Sequence, residues 1–196
     1  MGCTSSISYK KVSCKHYNSF LASQKSTSAV TANKIELLPR ERVIVQRSWP
    51  ALQKDLQGNG LQVFLKIFEL CPEVKSLFSV ENVRHSQLAK NAMIKAHGAR
   101  FIKAIGVTIN DNEEFEHDEN KLCKYLFVLG HQHKRFARFK SEYFEIFYDA
   151  LMWQWGRCLG ENFTQEVSDA WSRVFVFLMV KLREGYCSNE EQLSKI

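Results

Sequence analysis

LGHQHKRF, residues 129–136, sets two histidines one residue apart at the end of an apolar run. Leu122, Leu126, Leu129 and His133 follow one another at steps of 4, 3 and 4, the spacing that holds side chains on one face of an α-helix. On such a helix His131 is rotated about 200° from His133. His133 therefore continues a buried stripe, and His131 is a solvated or partly packed residue. Taken alone, His133 fits a core histidine bonded to a carbonyl better than it fits a metal ligand. A second histidine shifts that balance. His97 lies on the face marked by Ile94, Phe101 and Ile105, 36 residues upstream. Two imidazoles embedded in apolar helical stripes can approach one site from opposite sides. Such a pair suits a planar metal cofactor, with a neutral ring nitrogen reaching the metal and hydrocarbon covering the ring. Zinc would want further Cys, His or carboxylate ligands at short spacing, and none sits on these faces.

The same periodicity runs through the rest of the chain. Pro39 precedes RERVIVQRSW (40–49), a good helix start, and Val45, Trp49, Leu52 and Leu56 follow at helical spacing with Pro50 expected to kink the run. Asn59-Gly60 is expected to break the chain before the stripe of Leu61, Phe64, Leu65 and Phe68, which ends at Cys71-Pro72. One long helix is expected from about Ser86 to Ile109. Phe139, Tyr143, Phe147 and Leu151 begin a fourth long segment, and Trp171, Phe175, Leu178 and Leu182 a fifth. No convincing period-2 strand or hairpin dipeptide appears, and no internal repeat, so the fold class is all-α.

Of the 196 residues, 45% are hydrophobic, enough for one buried core with a short appendage. No uncharged apolar run reaches the ~18 residues of a membrane-spanning helix. The N-terminus lacks the apolar centre of a signal peptide, which points to a cytosolic protein. The six cysteines (3, 14, 71, 123, 158 and 187) show no CxxC and read as free thiols. Residues 1–34 carry five lysines and no acid, so the net charge of +6 leaves +1 for the other 162 residues. A nearly neutral body argues against a nucleic-acid-binding face. Residues 1–36 are rich in Ser and Thr and poor in apolar groups, and are expected to be a disordered arm. A core domain over 37–186 and a tail over 187–196 complete the division. NDNEEFEHDEN (110–120) holds six acids but lacks the glycine and terminal Glu of a calcium loop, so it reads as a solvated linker. No GxSxG, P-loop, GxGxxG or HExxH is present.

CPEVKSLF (71–78), KAHGARF (95–101) and LGHQHKRF (129–136), in that order, resemble the three signature segments of globins. The resemblance covers about residues 40–185 and is reinforced by SW at 48–49, FLKIFELCP at 64–72 and CLGENFTQEVSDAW at 158–171. The last segment and Phe64 are especially similar to neuroglobin, and the N-terminal MGC is similar to the membrane-bound globin X group. The resemblance implies about eight helices around a pocket for haem b and its iron. His133 would be the proximal ligand and His97 the distal histidine. Phe78 would wedge against the haem, Phe64 and Phe101 would line the distal side, and Arg100 would be placed to reach a haem propionate. Pro72 would open the third helix. Three departures from the family are Pro50, the long acidic linker, and Phe101 where a valine is usual.

Such a site would bind oxygen, nitric oxide or carbon monoxide, with His97 itself on the iron when no external ligand is present. A redox, signalling or lipid-protective role follows better than bulk oxygen carriage. The competing classes are a haem enzyme acting on nitrite or peroxide, an electron-transfer protein, and a haem-free interaction module. A reductase partner is implied. MGCTSS matches the acceptor pattern for N-myristoylation at Gly2. Cys3 is a candidate for palmitoylation, and Lys10, Lys11 and Lys15 would favour an anionic leaflet. Those features place the protein on the cytoplasmic side of the plasma membrane.

Overall fold

The computed structural model describes residues 37–109 and 119–194, and within them every regular element is helical. The N-terminal arm with Gly2 and Cys3, and residues 110–118 of the acidic linker, lie outside the described residues. In chain order the helices are α1 (Pro39–Gln53), α2 (Leu56–Leu70), α3 (His85–Leu88), α4 (Ala92–Ile109), α5 (Glu119–Gln132), α6 (Tyr143–Leu159), α7 (Gln165–Cys187) and α8 (Glu190–Ser194). Short 3₁₀ segments at Pro72–Phe78, His133–Arg135 and Gly160–Asn162 join them.

Pro39 opens α1, where its missing N–H costs nothing. Glu41 accepts the Leu38 N–H at 3.0 Å, and its other oxygen accepts from Arg173 of α7 at 3.0 Å. Pro50 does not end α1, which runs on to Gln53. The core is aromatic: Trp155 lies 5.4 Å from Trp171 and 5.1 Å from Phe175, centroid to centroid. The Trp171 indole N–H donates to Ser48 Oγ at 2.9 Å, joining α7 to α1.

Three local expectations need correction. Asn59-Gly60 does not break the chain; it lies inside α2, and the break falls at Lys54–Asp55. Asp55 caps α2 by accepting the Gly58 N–H at 2.7 Å. Asn59 is tied down by tertiary bonds, donating to Leu52 O and accepting from Gln154 and Cys158 of α6. Gly60 is needed where α2 crosses α4, because a Cβ there would sit 2.7 Å from Gly98 Cα. The long helix expected from Ser86 is divided into α3 and α4, and Asn91 starts α4 by accepting the Ile94 N–H at 3.1 Å. The fourth segment begins at Tyr143, with Phe139 in the preceding corner.

α5 packs on α7 as closely as α2 does on α4. A Cβ on Gly130 would lie 2.7 Å from the Leu182 carbonyl carbon, and one on Gly185 2.7 Å from that of Phe127. These two backbone-close crossings fix α4 on one side of the site and the end of α5 on the other.

Candidate functional site

His133 begins the 3₁₀ turn that ends α5. Its Nδ1 donates to the Leu129 carbonyl at 2.8 Å, one helical turn back. A carbonyl can only accept, so the neutral ring carries its proton on Nδ1 and leaves the Nε2 lone pair for a metal. Phe139 (4.8 Å), Phe144 (5.6 Å) and Phe136 (6.5 Å) surround the imidazole, centroid to centroid. The Tyr186 hydroxyl donates to Phe139 O at 2.8 Å and ties this corner to α7. Burial lowers the His133 pKa, and the bond to Leu129 partly opposes that shift. The ring is therefore neutral at pH 7.

His131 points elsewhere, as the helical spacing requires. Its Nδ1 lies 3.0 Å from Ser188 Oγ and its Nε2 3.2 Å from Glu190 Oε1, joining the end of α5 to the start of α8.

On the opposite side, His97 of α4 is packed edge-on against Phe64 (5.0 Å) and Phe78 (5.6 Å). Phe78 arrives there because Pro72 opens a 3₁₀ segment whose last residue it is. Burial is the main cause that pushes the His97 pKa down to about 4, with Arg100 and His133 adding repulsion. Arg100 is exposed, with Nη2 3.5 Å from His97 Nδ1, the outer limit of a hydrogen bond. Phe101 turns its ring onto Phe147 (5.2 Å), which in turn meets Phe64 (5.4 Å). Crowding of His97 thus comes from Phe64 and Phe78, while Phe101 builds the wall behind them.

Among the described residues no three His, Cys, Asp or Glu side chains gather to hold a bare metal ion. Two neutral imidazoles walled by phenylalanines are instead a donor set for a metal that brings its own in-plane ligands. The sequence did not single out Phe136, which lies outside the helical stripes, or Phe144, whose helical spacing to Phe147 and Leu151 reads as ordinary core.

A globin family model matches residues 61–180. A Cytoglobin-1 of Oryzias latipes is 23% identical over 76% of this chain and 84% of its own length. The protein named Anaerobic nitrite reductase AHB2 of Arabidopsis thaliana is 27% identical over 76% of this chain and 94% of its own. In structure, the chain is similar to a hexacoordinated heme protein from an anhydrobiotic tardigrade, with a TM-score of 0.71 and 22% identity, covering 79% of this chain and 97% of that one. With its helices and their two close crossings in this arrangement, and the family model matching more than half its length, the chain belongs to the globin family.

Proposed function

We propose that this globin holds haem b between His133 and His97 and serves gas binding with redox or signalling chemistry. The observation that carries the proposal is the His133 Nδ1 bond to Leu129 O, which points the proton away from the site and frees Nε2. Bound haem b supplies an iron that takes up O₂, NO or CO and exchanges single electrons. His133 fixes the proximal side, because Leu129 and the three phenylalanines around it leave its ring one orientation. His97 is neutral at pH 7 and stands ready as the second axial ligand. For that its proton must sit on Nδ1, so the Arg100 guanidinium, a donor only, must turn aside and is then free to meet a propionate. Phe64 and Phe78 confine the His97 ring and keep water from it. With His97 on the iron, an external gas would have to compete with its imidazole, which would lower the apparent affinity by the open fraction.

The N-terminal arm supplies the location. Gly2 myristoylation and Cys3 palmitoylation give the two anchors that stable residence needs, placing the globin at the inner leaflet of the plasma membrane. That position favours protection of lipids or local signalling. A second reading, nitrite reduction at the same iron with a reductase partner, is supported by the similarity to proteins named as plant nitrite reductases.

Ferric, ferrous and CO-bound absorption spectra of wild type and His97→Leu test the proposal. The wild-type ferrous form is expected to be low-spin and six-coordinate, and His97→Leu five-coordinate. A wild type without a Soret band after expression with ample haem overturns the haem site. A five-coordinate ferrous wild type overturns the role of His97.

A further inference from the structure

Between Lys121 and Lys140 the chain carries six cations (Lys121, Lys124, Lys134, Arg135, Arg138, Lys140) and no acid. Taking these six and the five lysines of residues 1–34 from the net +6 leaves −5 for everything else. Lys121 and Lys124 stand in the first turns of α5, while Lys134, Arg135, Arg138 and Lys140 follow His133 at the corner beyond its other end. Residues 134–138 are all exposed, with Phe136 at 53%. The Phe136 ring also meets the His133 ring at 6.5 Å, so one aromatic side chain spans the distance from the candidate iron ligand to the surface.

Two of these cations are occupied: Lys140 pairs with Glu73 at 3.1 Å, and Lys134 donates to Ser188 O. Arg135 and Arg138, which flank Phe136, make no ion pair among the described residues.

We propose that Lys134, Arg135 and Arg138 around Phe136 form a docking surface for an acidic one-electron carrier protein, which reduces the iron held at His133; this rests on the haem reading given above. An exposed aromatic centre flanked by two arginines without ion pairs among the described residues, with the Lys134 charge beside them, is the pattern that an acidic protein face recognises. An anionic lipid surface would attract the same cations, but only one half-exposed ring is there to enter it, whereas a protein face can take a single aromatic ring as its centre. The donor gives up one electron, ferric iron becomes ferrous, and no atom is transferred. Entry at the proximal corner leaves the His97 side free for the gas.

The test uses the full-length ferric holoprotein with reduced flavodoxin as an acidic one-electron probe, followed by stopped flow. Arg135→Glu/Arg138→Glu is compared with wild type and with Lys54→Glu, an exposed charge at the end of α1. Calorimetry with oxidised flavodoxin reads docking without electron flow, and the Soret band reads haem content before any donor is added. The double variant is expected to slow reduction by about tenfold or more at low salt. Its Soret band and its reduction by dithionite should match wild type, and Lys54→Glu should change the rate less than about twofold. A double variant that docks and is reduced as fast as wild type overturns the proposal, as does an equal slowing by Lys54→Glu. Loss of binding to phosphatidylserine vesicles with flavodoxin docking intact would make the corner a lipid contact and overturn it too. A missing Soret band condemns the haem reading by itself, while calorimetry still decides the docking.

Discussion

The crossing of α2 and α4 is where a single methyl group should travel furthest in its effects. In Gly60→Ala the added Cβ would run into the Gly98 carbonyl carbon and oxygen, with Gly98 Cα at 2.7 Å, against an ordinary carbon contact of ~3.5 Å. Both sides are backbone, so no side chain can turn away and the helices must part by more than ~0.8 Å. Overpacking of this kind costs up to ~3 kcal/mol. Alanine returns ~1 kcal/mol through its helix propensity, so a net loss near 2 kcal/mol is expected. His97 adjoins Gly98 on α4, and metal–nitrogen bonds tolerate only ~0.2 Å. The ferrous form should accordingly shift from six- towards five-coordinate. Urea unfolding of the haem-free protein reads the first effect and the ferrous absorption spectrum the second. Gly156→Ala is the control: its Cβ would meet only the Phe163 side chain, at 3.3 Å, which can give way. That variant should equal or exceed wild type by up to ~1 kcal/mol. Wild-type stability together with an unchanged spectrum in Gly60→Ala would refute the claim that this crossing positions His97.

His133→Ala should lose most bound haem or leave it exchangeable, whereas His131→Ala should keep the wild-type spectrum and lose ~1 kcal/mol from its bonds to Ser188 and Glu190; equal haem loss from both would overturn the assignment. His97, at about 4 when folded against 6.5 when free, binds its proton more readily in the unfolded chain. The stability of the haem-free protein is thus complete above pH 6.5 and declines as pH falls towards 4, by up to ~3 kcal/mol from this group. His133 adds in the same direction. Urea titrations at pH 7 and 4.5 should show a smaller decline for His97→Leu than for wild type, and equal declines would remove His97 as the cause. In fractionated cells, Gly2→Ala should move from membrane to soluble fractions and Cys3→Ser should do so partly. A Gly2→Ala protein that stays fully with the membrane would exclude the acyl anchor.

The two histidines were legible because each signal is local: a period of 3.6 separates His133 from His131 and sets His97 on an apolar face. Asn59-Gly60 was misread for the opposite reason. The dipeptide is a turn former by its own propensity, and what holds it in a helix is Gly98, 38 residues away, with Gln154 and Cys158 further still. The division between α3 and α4 rests on one side-chain cap at Asn91, which an apolar stripe does not register. Phe136 reaches His133 through a corner with no regular period, so spacing gave no sign of it, whereas Phe144 stands in α6 at helical spacing from Phe147 and Leu151 and carries no mark that tells a wall of the site from ordinary core. The basic corner was hidden by averaging, since a net charge near zero for the whole body conceals a +6 segment beside −5 elsewhere.

The close packing of α5 on α7 also sets a timetable. His133 is held by a corner that is complete only when Tyr186 has reached Phe139 and Gly185 has reached Phe127. On a ribosome adding about 5–20 residues per second, the 54 residues from His133 to Cys187 take roughly 3–11 s. Through that interval α2 and α4, already synthesised, can bring Phe64 and His97 together while the opposite wall is still missing. The nascent chain thus passes through a stage with a finished distal half and an open proximal one. Firm capture of the prosthetic group becomes one of the last events in the making of the protein, coupled to the emergence of α7.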